Sequence, residues 1–102
     1  MYRVEYLPSF EDDLNNILAY YELECQSPRT ADRIVEELDK TVSTLALFPR
    51  MFPRYDPVFS LGTMYRMFFI KGNAVFYTIE DEAKIIKVHR MLNGRMDFDQ
   101  WL

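Results

Sequence analysis

Few side chains in this sequence have the type and spacing to do chemistry. Arg66 stands within Tyr65-Arg66-Met67-Phe68, where a planar guanidinium can clamp a phosphate or a partner carboxylate through two parallel hydrogen bonds. The competing reading pairs Arg66 with one of the many acids of the N-terminal half, and spacing alone favours that pairing. His89-Arg90 offers a general base beside a cation, which RNA cleavage by an attacking 2′-hydroxyl requires. Consecutive strand residues face opposite sides, so the two are expected not to share one phosphate, and His89 is expected to be hydrogen-bonded or solvent-facing. Cys25 has no basic neighbour to lower its pKa and reads as an inert thiol. Glu11-Asp12-Asp13 is followed by no ligand loop, and the three glycines are isolated. No metal site and no cofactor are predicted.

The elements that would position these residues follow from periodicity. Tyr2-Arg3-Val4-Glu5-Tyr6-Leu7 alternates apolar and polar and reads as a strand that Pro8 stops. Ser9 is placed to cap a helix whose apolar stripe is Phe10, Leu14, Ile17, Leu18 and Tyr21, with acids in the first turn complementing its dipole. After Gln26-Ser27-Pro28, a second helix carries Ala31, Ile34, Val35, Leu38, Val42 and Leu45 and ends at Pro49. The two read as a helical hairpin. Residues 49 to 62 show no periodicity and hold Pro49-Arg50 and Pro53-Arg54, with Phe52, Tyr55 and Phe59 as candidate anchors. Thr63 to Ile70, Ala74 to Ile79 and Lys84 to Leu92 then form a three-stranded antiparallel meander, joined at Lys71-Gly72-Asn73 and Glu80-Asp81-Glu82-Ala83. On its last strand Ile86, Val88, Arg90 and Leu92 are expected to share one face. The first strand can join this sheet, giving a β-α-α-β-β-β α+β fold with the helical hairpin packed on an antiparallel sheet. The tail from Asn93 to Leu102, with Phe98 and Trp101, is expected to cover a sheet edge or to be held by a partner.

Composition limits what such a fold does. With 102 residues, one domain spanning 1–102 is expected, and a chain of this size buries about two-thirds of its unfolded surface. A lone cysteine permits no internal disulfide and suits a reducing cytosol. The opening residues lack a charged-then-apolar signal pattern, and no apolar run reaches the ~18 residues of a membrane span. A cytoplasmic protein without membrane contact is predicted. Net charge is −4, which argues against a generic polyanion binder. That charge divides into −5 over residues 1–59 and +1 over residues 60–102, which confines any polyanion contact to a few arginines on the sheet.

The element order, together with Leu14-Asn15-Asn16-Ile17-Leu18-Ala19-Tyr20-Tyr21, Leu47-Phe48-Pro49, Tyr65-Arg66, Val75-Phe76-Tyr77 and the run Ile86-Lys87-Val88-His89-Arg90-Met91-Leu92-Asn93-Gly94-Arg95-Met96-Asp97, resembles the RelE/ParE superfamily of type II toxin–antitoxin toxins, which includes plasmid stabilisation proteins. The resemblance spans nearly the whole chain. It implies a cytoplasmic growth-inhibiting toxin neutralised by a cognate antitoxin wrapped over its helices and sheet. It also implies one of two targets. RelE-type members cleave mRNA in the ribosome without metal, and that reading makes Arg66, Arg90, Lys71 and Tyr77 the catalytic candidates. ParE-type members block DNA gyrase, and that reading makes Arg66, Arg90 and Arg95 the target-binding residues. Two and three positions after Arg90, where the nuclease branch often carries His and Tyr, this chain has Leu92 and Asn93. The Asn93-to-Asp97 ending and the acidic charge rank the protein target first. The ribosomal endoribonuclease and a non-toxic binding module of the same fold stand as alternatives.

Overall fold

A computed structural model describes residues 1–57 and 62–102. Strand β1 (Arg3–Tyr6) leads into helix α1 (Pro8–Ala19), which continues as a π-helical turn (Tyr20–Glu24). Helix α2 (Pro28–Leu47), the two-residue strand β2 (Arg54–Tyr55), strands β3 (Tyr65–Ile70), β4 (Asn73–Glu80) and β5 (Ile85–Asn93), and a short helix α3 (Phe98–Trp101) follow. The sheet order is β1-β5-β4-β3-β2. The expected meander is present, with β1 joining it parallel to β5 and β2 adding an antiparallel edge. The sheet is therefore mixed and five-stranded.

The helices begin as their sequences dictate, with one difference. Pro28 opens α2 after Ser27. In α1 it is Pro8 that takes the first helical turn, after Leu7 in an extended conformation. Ser9 does not cap. Its hydroxyl donates instead to the His89 carbonyl at 2.8 Å, tying α1 to β5. A proline fits the first helical position because the N–H it lacks has no partner there anyway.

One core lies between helices and sheet. Phe10 from α1, Ile34, Leu38, Val42 and Leu45 from α2, and Phe68, Ile70, Val75, Tyr77, Ile86, Val88 and Met91 from the sheet close it. Phe52 packs on Phe68 with ring centroids 4.9 Å apart, so it does anchor the irregular segment. Phe59, the third expected anchor, lies outside the described residues. A second core fills the opposite sheet face: Tyr65, Ala74, Phe76 and Leu92, covered by Tyr55, Met67, Met96, Phe98 and Leu102. The tail thus covers a sheet face rather than an edge, and β4 is buried on both sides along Asn73–Tyr77.

The last strand departs from simple alternation. Phe76 pairs with Arg90 but Tyr77 pairs with Val88, so His89 is an extra residue in a β-bulge. Ile86, Val88 and Met91 consequently enter the helix-side core, while Leu92 enters the opposite one. The expected Ile86, Val88, Arg90, Leu92 face is therefore corrected: the bulge shifts the period by one residue after Val88.

Candidate functional site

Arg66 projects from β3 beside its register partner Tyr77, on the helix side of the sheet. Its Nη1 donates to the Phe52 carbonyl at 2.7 Å, which orients the guanidinium and leaves the rest of its donors unused by that bond. It lines an open cleft of about 180 Å³ with Arg50, Met64, Ile79 and Asp81. Across that cleft Arg50 is ion-paired with Asp81, and the Tyr2 hydroxyl donates to the same carboxylate at 2.7 Å. Both bonds hold the Asp81 carboxyl below the usual carboxylate range, the Arg50 contact contributing most. Among the described residues no carboxylate lies within ion-pairing distance of Arg66, and residues 58 to 61, Val-Phe-Ser-Leu, contain no acid. The expected internal ion pair is absent among the described residues, and the guanidinium faces the cleft.

Of the other candidates only Tyr77 neighbours Arg66. Arg90 is held by α1: its Nε and Nη2 donate to the Asp13 carboxylate at 2.6 and 2.9 Å, and its Nη1 donates to the Trp101 carbonyl at 2.9 Å. Bonding to Asp13 raises its pKa above the ordinary arginine value. Lys71 sits in the β3–β4 turn with Nζ 3.9 Å from a Glu37 oxygen; five residues of strand place it roughly 17 Å from Arg66 along the chain. Tyr77 is fully buried and its hydroxyl donates to the Pro49 carbonyl at 2.8 Å. Burial pushes its pKa up to about 12. Arg95 is exposed beyond β5, where its N–H donates to Asn93 Oδ1 at 2.9 Å.

His89 and Arg90 reach different neighbours, but the expected alternation is not the reason: the bulge interrupts it, setting Arg90 in register with Phe76 and the His89 ring against Tyr65, both members of the second core. His89 Nε2 and the Thr78 hydroxyl are hydrogen-bonded at 2.8 Å, and its ring packs edge-on to Tyr65 with centroids 5.3 Å apart. Burial, then the Lys87 charge, lower its pKa from 6.5, so it is neutral near pH 7. Sequence reasoning missed Asp81 as a member of the Arg66 cleft and Tyr2 as a hydrogen-bond donor to it. The Pro49-Arg50 doublet was the one signal pointing to Arg50.

A family model described as the ParE toxin of type II toxin-antitoxin system, parDE, matches residues 4–98. The chain belongs to this family. It is the toxin member of a type II toxin–antitoxin pair, with an antitoxin as its partner. A comparison with curated proteins finds none that matches. Among the described residues of the toxin, no helix is long and apolar enough to cross a membrane, and no cluster of three or more His, Cys, Asp or Glu is placed to hold a metal ion.

Proposed function

We propose that this ParE-family toxin arrests growth by binding a protein target, DNA gyrase, and that Arg66 and Arg95 make its direct polar contacts while Arg90 shapes the surface by holding the C-terminal segment. One observation carries the reading. Phosphodiester cleavage needs a base, a cation and an acid around one phosphate, and here the candidates do not offer that set: Arg66 opens on its own cleft, Arg90 is bound to Asp13 and Trp101, Lys71 lies at the far end of β3, and Tyr77, although beside Arg66, has its hydroxyl buried on the Pro49 carbonyl. A guanidinium without a carboxylate suits a partner's acidic side chain instead.

The test is induction in cells with separate readouts of transcript cleavage and DNA supercoiling. The expected outcome is altered supercoiling with intact transcripts. Cleaved transcripts with normal supercoiling would sink the reading and establish the endoribonuclease alternative. Arg66→Ala is expected to relieve growth inhibition while costing only about 1 kcal/mol of stability, the worth of its bond to Phe52. A folded variant that stays fully toxic would remove Arg66 from the target surface.

A further inference from the structure

The end of α2 leaves apolar surface that the fold does not use. Leu47, Phe48 and Met51 are 56%, 62% and 47% exposed, and together with Pro49 and Arg50 they line one shallow depression. Met64, 54% exposed, lies in the neighbouring cleft with Arg66. Arg50 borders both, so shelf and cleft form one continuous surface. Single exposed apolar residues need no explanation, but a contiguous patch next to an oriented charge marks an interaction site.

The charges define what fits. The cleft contains Arg50 and Arg66 against Asp81, and Arg50 is already satisfied by Asp81, which leaves one unmatched cation, Arg66. The methionines of the patch adapt to irregular apolar partners. We infer that the shelf and cleft together are a docking surface for a peptide segment of another protein that sets large apolar side chains on Leu47, Phe48 and Met51 and one carboxylate on Arg66. This rests on the reading of Arg66 as a partner-contacting residue and adds the chemistry of the segment it contacts. An anionic membrane fits less well. Asp81 sits within the cleft, and a chain of net charge −4 gains little from an anionic surface.

The experiment is selection of a random displayed-peptide library against the full chain, followed by binding measurements on the selected peptides. The expected peptides share an acidic residue flanked by large apolar ones. Their affinity is expected to fall about tenfold or more for Phe48→Ser with Met51→Ser, as anchor residues do on truncation. Against Arg66→Gln, which keeps a donor for Phe52, the preference for Glu over Gln in the peptide should disappear. Because Phe48 and Met51 are exposed, the Phe48→Ser, Met51→Ser variant should retain the parent's thermal midpoint. Peptides without an acid, equal binding to the variants, or no enrichment would overturn the inference. So would binding to phosphatidylglycerol vesicles that Phe48→Ser abolishes, or self-association in sedimentation that the same change abolishes. Growth inhibition needs no selected peptide, so the two readings fail separately. Altered supercoiling with no acid-dependent peptide binding overturns the docking surface alone. Acid-dependent binding with normal supercoiling supports the surface and overturns the gyrase target.

Discussion

At the scale of single residues, the charges that matter are those whose partners lie far away in the chain. Asp13 accepts from Arg90 at two positions and also from the Met91 N–H at 3.0 Å. Strand β1 pairs β5 only as far as Val88, so beyond it the edge of β5 has no strand partner, and the carboxylate takes that role. Asp13→Ala strips two of its three bonds from a largely buried guanidinium and leaves a backbone N–H unsatisfied. Allowing for the residual exposure of the pair, 14% and 23%, the expected loss is about 2–3 kcal/mol, or a thermal midpoint lower by roughly 10 °C or more. An unchanged midpoint would show that solvent replaces the carboxylate. Asp13 was visible only as one of three helix-start acids, because nothing local links it to a residue 77 positions on. His89 gives a pH prediction of definite sign. Its pKa is lowered in the fold and about 6.5 when unfolded, so below that value the unfolded chain binds the extra proton first. Stability should be flat above about pH 7 and fall as pH drops through about 6.5. In His89→Gln, urea midpoints between about pH 7.5 and 5.5 should lose that slope, and a slope that persists assigns it elsewhere.

At the scale of elements, periodicity predicted what lies within one helix or strand and failed where the backbone changes period. The α2 stripe was readable because Ile34, Leu38, Val42 and Leu45 all enter the core. The β5 bulge was not, since His89 and Arg90 are ordinary strand residues and no glycine or proline marks the insertion. The β3–β4 turn was located, and its geometry adds the detail that Lys71 and Gly72 both have positive φ, 48° and 77°. That is the two-residue type I′ hairpin, for which asparagine suits the first position better than lysine. The turn is also clamped from outside: the Gly94 N–H donates to the Gly72 carbonyl at 2.9 Å. A Cβ built on Gly94 would stand 2.9 Å from that same oxygen, a backbone atom that cannot swing aside. Gly94→Ala should therefore cost about 1–3 kcal/mol and speed hydrogen exchange at residue 94. Lys71→Asn should gain about 0.5 kcal/mol by matching the left-handed backbone. Equal stability for Gly94→Ala and the parent would mean that β5 can shift away from the turn.

For the whole molecule, the decisive feature is that the sheet is covered on both faces. The helix hairpin was legible from its stripes, but the second layer was not. Phe98 and Trp101 announced a tail that needed burial without saying where. The destination is set by β4, whose Ala74 and Phe76 face away from the helices. Phe98 packs on Phe76 at 5.1 Å between ring centroids, and the Tyr55 hydroxyl donates to Asp99 at 2.6 Å. This bond raises the Tyr55 pKa to about 12, more than burial does. Ending the chain after Arg95 removes Met96, Phe98 and Leu102 from that layer, frees Tyr55 and takes the Trp101 carbonyl from Arg90. The helix-side core keeps all its members, so far-ultraviolet dichroism should retain most of the helical signal while the bared face binds a hydrophobic dye. Tyrosine ionisation followed by absorbance separates this from general loosening. In the full chain both Tyr55 and Tyr77 titrate near 12. In the shortened chain Tyr55 should return toward 10 and Tyr77, buried beneath α2, should not. If both move, the two layers fold as one unit and the tail is a structural wall of the domain; if neither moves, Tyr55 is held by the sheet alone.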